Sequence, residues 1–405
     1  MIFTDLPLEL ESEILVRVPA TSLTQLRSTC KRWFALFKDP RFIKKNKGKA
    51  ARQFILKKDD GVYSIRIDLH NSFDDPSVEF TGKLTPLEDS QQVVISTIYQ
   101  CDGLLLCTIQ DNRCLVNRLV VWNPCTGQTR WIQPSNRNSV QDKYFLGYEN
   151  NNEPCQCYKI LRSSAGKLDE FELYDFNSDS WRLLDGVTHI WFIRSRGVSL
   201  KGNVYWVASD KNKPCTRKYI LRFDFKREIF ERLSLPFQVN YFDGIIFDLS
   251  VVREEKLSVF LQRFSNDSFE VKIWVTDTDI DEAKDASIQY FLVVDLSESW
   301  STGMMAVECI ESFLVDEENN KVVCCGRDGR GSYRIKFYFV GGDQNLHACK
   351  QVHGDLAQGQ YDYWQLRLRG SDDYYIYLRP DDYRDLLVSY VPSLVQVAGE
   401  VKRDK

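Results

Sequence analysis

The chain has 405 residues, 43% hydrophobic and 27% charged, with a net charge of −4. That balance suits a globular protein, either two or three average domains or one small module plus one large architecture, and excludes a disordered or fibrous chain. Residues 1–51 hold ten Lys/Arg against five Asp/Glu, a balance of +5 that leaves −9 to the rest. A basic excess that small, without interleaved aromatics, does not mark a nucleic-acid surface.

Asp5, Glu9, Glu11 and Glu13 interrupt the first apolar residues, so no secretory signal is expected, and no run is long enough to span a membrane. The expected setting is intracellular, cytoplasmic or nuclear. Twelve cysteines are then reduced thiols by default, and the sequon at Asn266 carries no meaning.

The first forty-odd residues read as helices. Leu6, Leu10 and Ile14 recur every four residues, Leu15 and Val18 widen the stripe, and Pro19 stops it. Thr21 or Ser22 is the expected N-cap of a second helical stretch. Its apolar side runs Leu23, Leu26, Cys30, Trp33, Phe34 and Phe37, ending before Asp39-Pro40. Three short helices are predicted, with more apolar positions than so few residues can bury among themselves. A surplus of that kind predicts a partner or a neighbouring domain. Residues 46–52 follow as a linker, and the lysines between 44 and 49 are expected to be solvated.

From residue 53 the pattern changes to short alternating strands rich in aromatic and β-branched residues, separated by polar turns. Two units recur. An apolar core after a turn appears at Leu104–Cys107, Tyr158–Leu161, Val204–Val207, Leu257–Phe260 and Val322–Cys325, with starts 54, 46, 53 and 65 residues apart. A strand, polar turn and strand with aromatic ends appears at Trp122 to Trp131, Tyr174 to Trp181 and Phe223 to Phe230, with a looser copy from Trp274. The turn residues Asn123, Asp175, Asp224 and Asp277 are 52, 49 and 53 apart.

A period near fifty with four short strands predicts a β-propeller, whose blades bury both faces only by stacking around a ring. Tryptophans in such a ring are packing between blades. Units near 53–90, 100–135, 144–186, 196–237, 246–297 and 309–355 make six blades, with seven the nearest alternative and a two-sheet sandwich a poorer fit. The first unit is short of strands. The tail offers Leu386–Val391 and Leu394–Val397, which are expected to complete it and close the ring, leaving residues 398–405 as a flexible end.

These residues resemble a known family. The stretch Leu6-Pro7, Glu13-Ile14-Leu15, Val18-Pro19, Ser22-Leu23, Leu26-Arg27, Cys30-Lys31 and Trp33 is similar to an F-box, spanning residues 1–45. Downstream, Cys101-Asp102-Gly103-Leu104-Leu105, Trp122-Asn123-Pro124, Leu146-Gly147-Tyr148 and Gly202-Asn203-Val204-Tyr205-Trp206 resemble the plant F-box-associated, kelch-like domain, spanning 53–397. Standard kelch blades each carry a glycine pair, whereas Gly341-Gly342 is the only pair here. The resemblance implies a substrate-receptor subunit of a Skp–cullin–F-box ubiquitin ligase. The F-box would dock a Skp-type adaptor, and through it cullin and RING subunits, while the propeller would hold a protein substrate. Carried onto this sequence, the adaptor contacts are Leu6, Pro7, Leu10, Ile14, Leu15 and Pro19, with Leu23 and Leu26 beside them. Trp33 is either a core anchor or a contact.

Catalytic and metal chemistry has little to stand on. Cys155 and Cys157 lie too close along a strand, Cys324 and Cys325 point to opposite faces, and His70, His189, His347 and His353 share no ligand spacing. Gly326 to Gly331 lacks the lysine of a phosphate loop and reads as a hairpin turn. The acidic runs at 277–282 and 381–385 read as exposed loops. Arginines 194, 196, 222 and 227 are the candidates for a propeller channel. No cofactor or metal is expected, and the protein is expected to be non-catalytic. A scaffold outside a cullin ligase is the alternative, with a propeller enzyme or glycan binder behind it.

Overall fold

The computed structural model describes residues 6–47, 52–58, 61–67, 77–84, 94–110, 117–139, 141–149, 157–164, 170–187, 191–210, 218–235, 244–264, 269–276, 288–295, 307–328, 335–341, 346–352, 364–367, 375–378 and 386–397. Four helices open the chain, one more than predicted: α1 (Leu8–Leu15), α2 (Ala20–Leu26), α3 (Lys31–Leu36) and α4 (Pro40–Asn46). The extra helix comes from Asp39-Pro40, which starts a helix rather than ending one. The Asp39 carboxylate accepts from the Arg41 amide at 2.8 Å, and Pro40 takes the first helical position. The predicted second stretch is also divided. Cys30 is extended, and its Sγ accepts from the Trp33 amide at 3.4 Å, so α3 begins anew. Pro19, not Thr21 or Ser22, is the N-cap of α2. Asn46 closes the module, its buried amide donating to the carbonyls of Val16 (2.8 Å) and Val18 (2.7 Å).

Behind the helices stand six four-stranded antiparallel blades. Blade 1 runs from the inside outward as Leu386–Tyr390, Gln53–Lys58, Gly61–Ile67 and Val78–Leu84. Blade 2 is Val94–Cys101, Leu104–Gln110, Asn117–Trp122 and Thr129–Ile132. Blade 3 is Lys143–Tyr148, Tyr158–Ser163, Phe171–Asp175 and Ser180–Leu183. In blade 4 the inner strand is split into Trp191–Ile193 and Val198–Leu200, both paired with Asn203–Asp210, followed by Tyr219–Asp224 and Ile229–Ser234. Blade 5 is Gly244–Val252, Lys256–Phe264, Phe269–Thr276 and Ile288–Asp295. Blade 6 is Val307–Asp316, Lys321–Asp328, Ile335–Gly341 and Leu346–Val352. A hairpin of Trp364–Arg367 and Tyr375–Leu378, not predicted, intervenes before the closing strand.

The ring closes as expected: Leu386–Tyr390, from the far end of the chain, pairs with Gln53–Lys58 from Gln53↔Tyr390 to Lys57↔Leu386. Residues 394–397 join no strand, a correction to the predicted tail. Their backbone groups bond instead to blade 2 side chains, described below.

Each apolar slot read from the sequence is the second strand of its blade, and the reason is its period of two. Leu104 and Leu106 pack toward blade 3, while Leu105 and Cys107 pack toward blade 1. Val204, Trp206 and Ala208 face blade 3; Tyr205 and Val207 face blade 5. Cys324 and Cys325 likewise enter different interfaces, with blades 5 and 1 respectively. A strand buried on both faces must be apolar throughout, hence the continuous runs. The turns predicted at Asn123, Asp175 and Asp224 are present. Each side-chain oxygen accepts from an amide two residues on, at 2.8, 2.7 and 2.9 Å. Asp277 lies outside the described residues.

Gly147 and Gly202 are needed for close approach. A Cβ on Gly147 would meet the Phe225 ring at 2.2 Å and the Gly202 carbonyl at 2.5 Å. Gly202 itself has φ +87°, in the two-residue turn that sends blade 4 back on itself.

Candidate functional site: an exposed apolar face and a polar channel

The helical module has a filled interior and an apolar exterior. Leu15, Val16, Ala20, Leu23, Phe37 and Phe42 are buried together. Glu11 is buried as well, because two partners fix it: the Arg32 Nε at 2.7 Å and the Trp33 Nε1–H, donating at 2.6 Å. Trp33 is therefore a half-buried strut tying α3 to α1. Arg32 also donates to the Leu6 carbonyl at 3.2 Å, which holds the entry to α1.

The predicted contact residues divide on this frame. Leu10 (53% exposed), Ile14 (46%), Pro7 and Pro19 face out; Leu6 and Leu26 are half-buried. Leu15 (4%) and Leu23 (0%) are interior, so they support the face from behind. Two further apolar side chains join the exposed set, Leu8 (51%) and Phe34 (43%), the latter with the Lys38 ammonium 4.2 Å from its ring centroid. Leu8 breaks the four-residue spacing that selected its neighbours, and Phe34 lies on the apolar side predicted for the second helical stretch. Four of the six large hydrophobics exposed among the described residues thus belong to α1 and α3. Exposure so concentrated is the mark of an interaction surface.

The second feature is the central channel. Its inner strands all run toward the module. Val94–Cys101 ends at Asp102, Lys143–Tyr148 ends under Lys47, and Leu386–Tyr390 leads to a segment that touches the helices. At that mouth Lys47, the residue after α4, pairs with buried Asp102, whose other oxygen accepts from the Tyr158 hydroxyl at 2.7 Å. The Tyr148 ring centroid is 5.6 Å from the same ammonium. Burial works to lower the Lys47 pKa, but the Asp102 carboxylate outweighs it and holds the group above its ordinary value. Glu254 is held above the usual carboxylate range by burial, assisted by Asp102. Lys47 was expected to be solvated with its neighbours; Lys44 and Lys45 are exposed on the last turn of α4, whereas Lys47, with its side chain 36% exposed, turns its ammonium onto the Asp102 carboxylate.

Away from the module the channel encloses about 150 Å³, lined by Lys57, Ser96, Lys143, Arg196, Asp248 and Ser312 among others. Of the four arginines singled out in the sequence, only Arg196 lines it. It does so because the inner strand of blade 4 is interrupted at Ser195-Arg196-Gly197. The Ser195 hydroxyl accepts from the Val207 amide at 2.8 Å in place of a ladder bond, and Gly197 leaves room for the Trp206 ring, whose Nε1 would lie 2.6 Å from a Cβ there. Arg196 pairs with Asp248 at 2.5 Å and donates to the Glu311 carbonyl. Near the same end, buried Arg162 is matched by Asp142 (2.7 Å) and Glu172 (2.5 Å). Arg194 lies over the Phe192 ring, and Arg222 and Arg227 are taken up by Glu231.

Among the described residues no group of three His, Cys, Asp or Glu is placed to hold a metal ion. None of their helices is long and apolar enough to cross a membrane. The acidic runs at 277–282 and 381–385, together with Cys155, His70, His189 and His353, lie outside the described residues.

Two family models match the chain: the F-box domain over residues 3–45 and the F-box associated beta propeller domain over residues 53–397. An F-box/kelch-repeat protein of Arabidopsis thaliana is 48% identical over 98% of this chain and 96% of its own. A second from the same plant is 43% identical over 99% and 97%. Among solved structures, TolB from Acinetobacter baumannii covers 74% of this chain and 63% of its own, at 13% identity and a TM-score of 0.40, a likeness too slight to add to the family match. An F-box at the head of a six-bladed ring, with matched relatives along almost the whole length, places the chain in the F-box family whose members carry an F-box associated β-propeller.

Proposed function

We propose that this chain is the substrate receptor of a Skp–cullin–F-box ubiquitin ligase. The observation that carries the reading is the outward apolar face of Leu8, Leu10, Ile14 and Phe34, which lies outside the cluster that fills the module's interior. A Skp-type adaptor is the partner that an F-box calls for. A standard interface would remove about 800 Å² from water on each side. Leu6, Pro7, Pro19 and Leu26 extend the same contact, while Leu15 and Leu23 hold its shape. The mouth of the channel away from the module is the face offered to a protein cargo. Cullin and RING subunits join through the adaptor, and ubiquitin is transferred elsewhere in the assembly. This chain contributes proximity, raising the effective concentration of cargo at the transferring enzyme. It has no catalytic role in this reading and acts inside the cell.

Co-expression with Skp-type adaptors tests the reading. Wild-type protein should be captured, and Leu10→Asp with Ile14→Asp should lower affinity by about 100-fold or more while the propeller's thermal transition stays in place. A wild type that no adaptor captures, or a double variant captured as well as wild type, would sink it. Cullin co-purification and adaptor-dependent loss of cargo then separate a ligase receptor from a scaffold.

A further inference from the structure

The core of the helical module is not made by the module alone. Its helices are eight, seven, six and seven residues long, each too short to persist unaided. The cluster they form includes Leu394, only 4% exposed, from the opposite end of the chain, with Cys125 of blade 2 packed alongside.

Leu394 is presented by a built mount. After the ring-closing strand, the backbone on either side of it is fixed to blade 2. The Asn123 side-chain amide donates to the Ser393 carbonyl at 3.0 Å and the Val395 carbonyl at 2.8 Å. Gln128 bonds the Gln396 side chain at 2.9 Å and accepts from the Val397 amide at 3.3 Å. Ser393 sits against Gly103, where a Cβ would fall 2.5 Å from its own. Val395 and Val397 turn the other way, into the core of blades 2 to 4. So Leu394 is turned to the helices, and it follows within four residues of Leu386–Tyr390, the strand that pairs with blade 1 and closes the ring. The Lys47–Asp102 pair fixes the end of α4 to the same blade.

We propose that the folded state of the helical module is conditional on closure of the propeller ring: Leu394, among the last residues of the chain, completes the core of helices formed by the first. A chain whose ring is open or whose end is missing would then present no docking face. That last consequence rests on the adaptor reading; the coupling of the two ends does not.

Hydrogen exchange on the full chain tests the coupling without any partner. In Leu394→Asp, amides of α1 to α4 should exchange at least about tenfold faster, with those of Leu104–Gln110 and Asn203–Asp210 unchanged. Leu394→Met, which keeps the apolar contact, should restore protection. If the aspartate also loosens the blades, Leu394→Ala and Lys47→Met carry the same test, and helices that deprotect ahead of the blades support the proposal. Helices as protected in Leu394→Asp as in wild type, or helices and blades loosening in parallel in all three variants, would overturn it. Adaptor capture in the same samples should fall with helix protection. A wild type that captures no adaptor bears on the functional reading and leaves the exchange result standing.

Discussion

The helical module and the propeller solve the problem of burial in opposite ways. Every blade presents two apolar faces and finds a neighbour for each, so all six interfaces are filled by buried apolar clusters. The module is a set of short helices with one small cluster, joined from outside by Leu394 and left with apolar side chains on its free surface. Redundant packing makes the ring a support; scarce packing makes the module a dependent one. The family motifs lie where the two meet. Asp102, Asn123, Tyr148 and Gly202 all sit at the channel end that faces the helices, and each fixes either Lys47, the segment around Leu394, or one another.

The contrast can be broken most severely at Trp206. It is fully buried between blades 3 and 4, edge-on to Phe145 with centroids 4.9 Å apart. Trp206→Ala should cost about 3–5 kcal/mol and move the main denaturant midpoint, because the cavity is shared by two blades. Since the module leans on the ring, its helices should melt in the same transition. An unchanged midpoint, or helices outlasting the blades, would reverse the dependence argued here.

The opposite experiment should be quieter. Leu23→Ala removes the most enclosed side chain of the module, at a cost of about 2–4 kcal/mol. The module has too small a core to absorb that loss, so α1 to α4 should lose exchange protection while the ring's midpoint stays within error. A shift of the main transition comparable with that of Trp206→Ala would mean that the two regions unfold as one unit.

Much of the ring was legible in the sequence because it rests on local rules. Period-two runs such as Val204–Val207, and turn residues such as Asn123 and Asp224, act through neighbours close in the chain. The stripe of Leu6, Leu10 and Ile14 was legible for the same reason, but not that Leu15 and Leu23, grouped with it, are interior. What was not legible depends on distant partners. Cys30 is a weak capping residue, so the break before α3 left no ordinary signal. Lys47 stands in a lysine run that reads as solvated, and only the fold brings Asp102 to it. Leu394 looks like strand in a chain of strands; that it serves the helices follows from ring closure, which sets the first and last residues side by side. Arg196 enters the channel because an inner strand is interrupted, a detail that composition does not record.

The smallest expected effect sharpens the comparison through pH. Glu228 lies at the junction of blades 3 and 4, 2.7 Å from the Lys159 ammonium and also paired with Arg182. Burial works to raise its pKa, but the two cations outweigh that and hold the carboxyl below its ordinary value. A carboxylate so depressed stabilises the fold fully above its unfolded pKa of about 4.3, and the contribution is lost as pH falls through the lower folded value. With the site partly exposed, the effect should stay below about 1 kcal/mol. Glu228→Gln should therefore lower the ring's stability slightly at pH 7 and remove part of its decline between pH 5 and 3. The exchange of α1 to α4 relative to the blades should not change, because the pair touches neither Lys47 nor Leu394. A variant whose helices loosen at pH 7 with the ring unchanged would show that the module draws support from beyond the blade 2 contacts assigned to it.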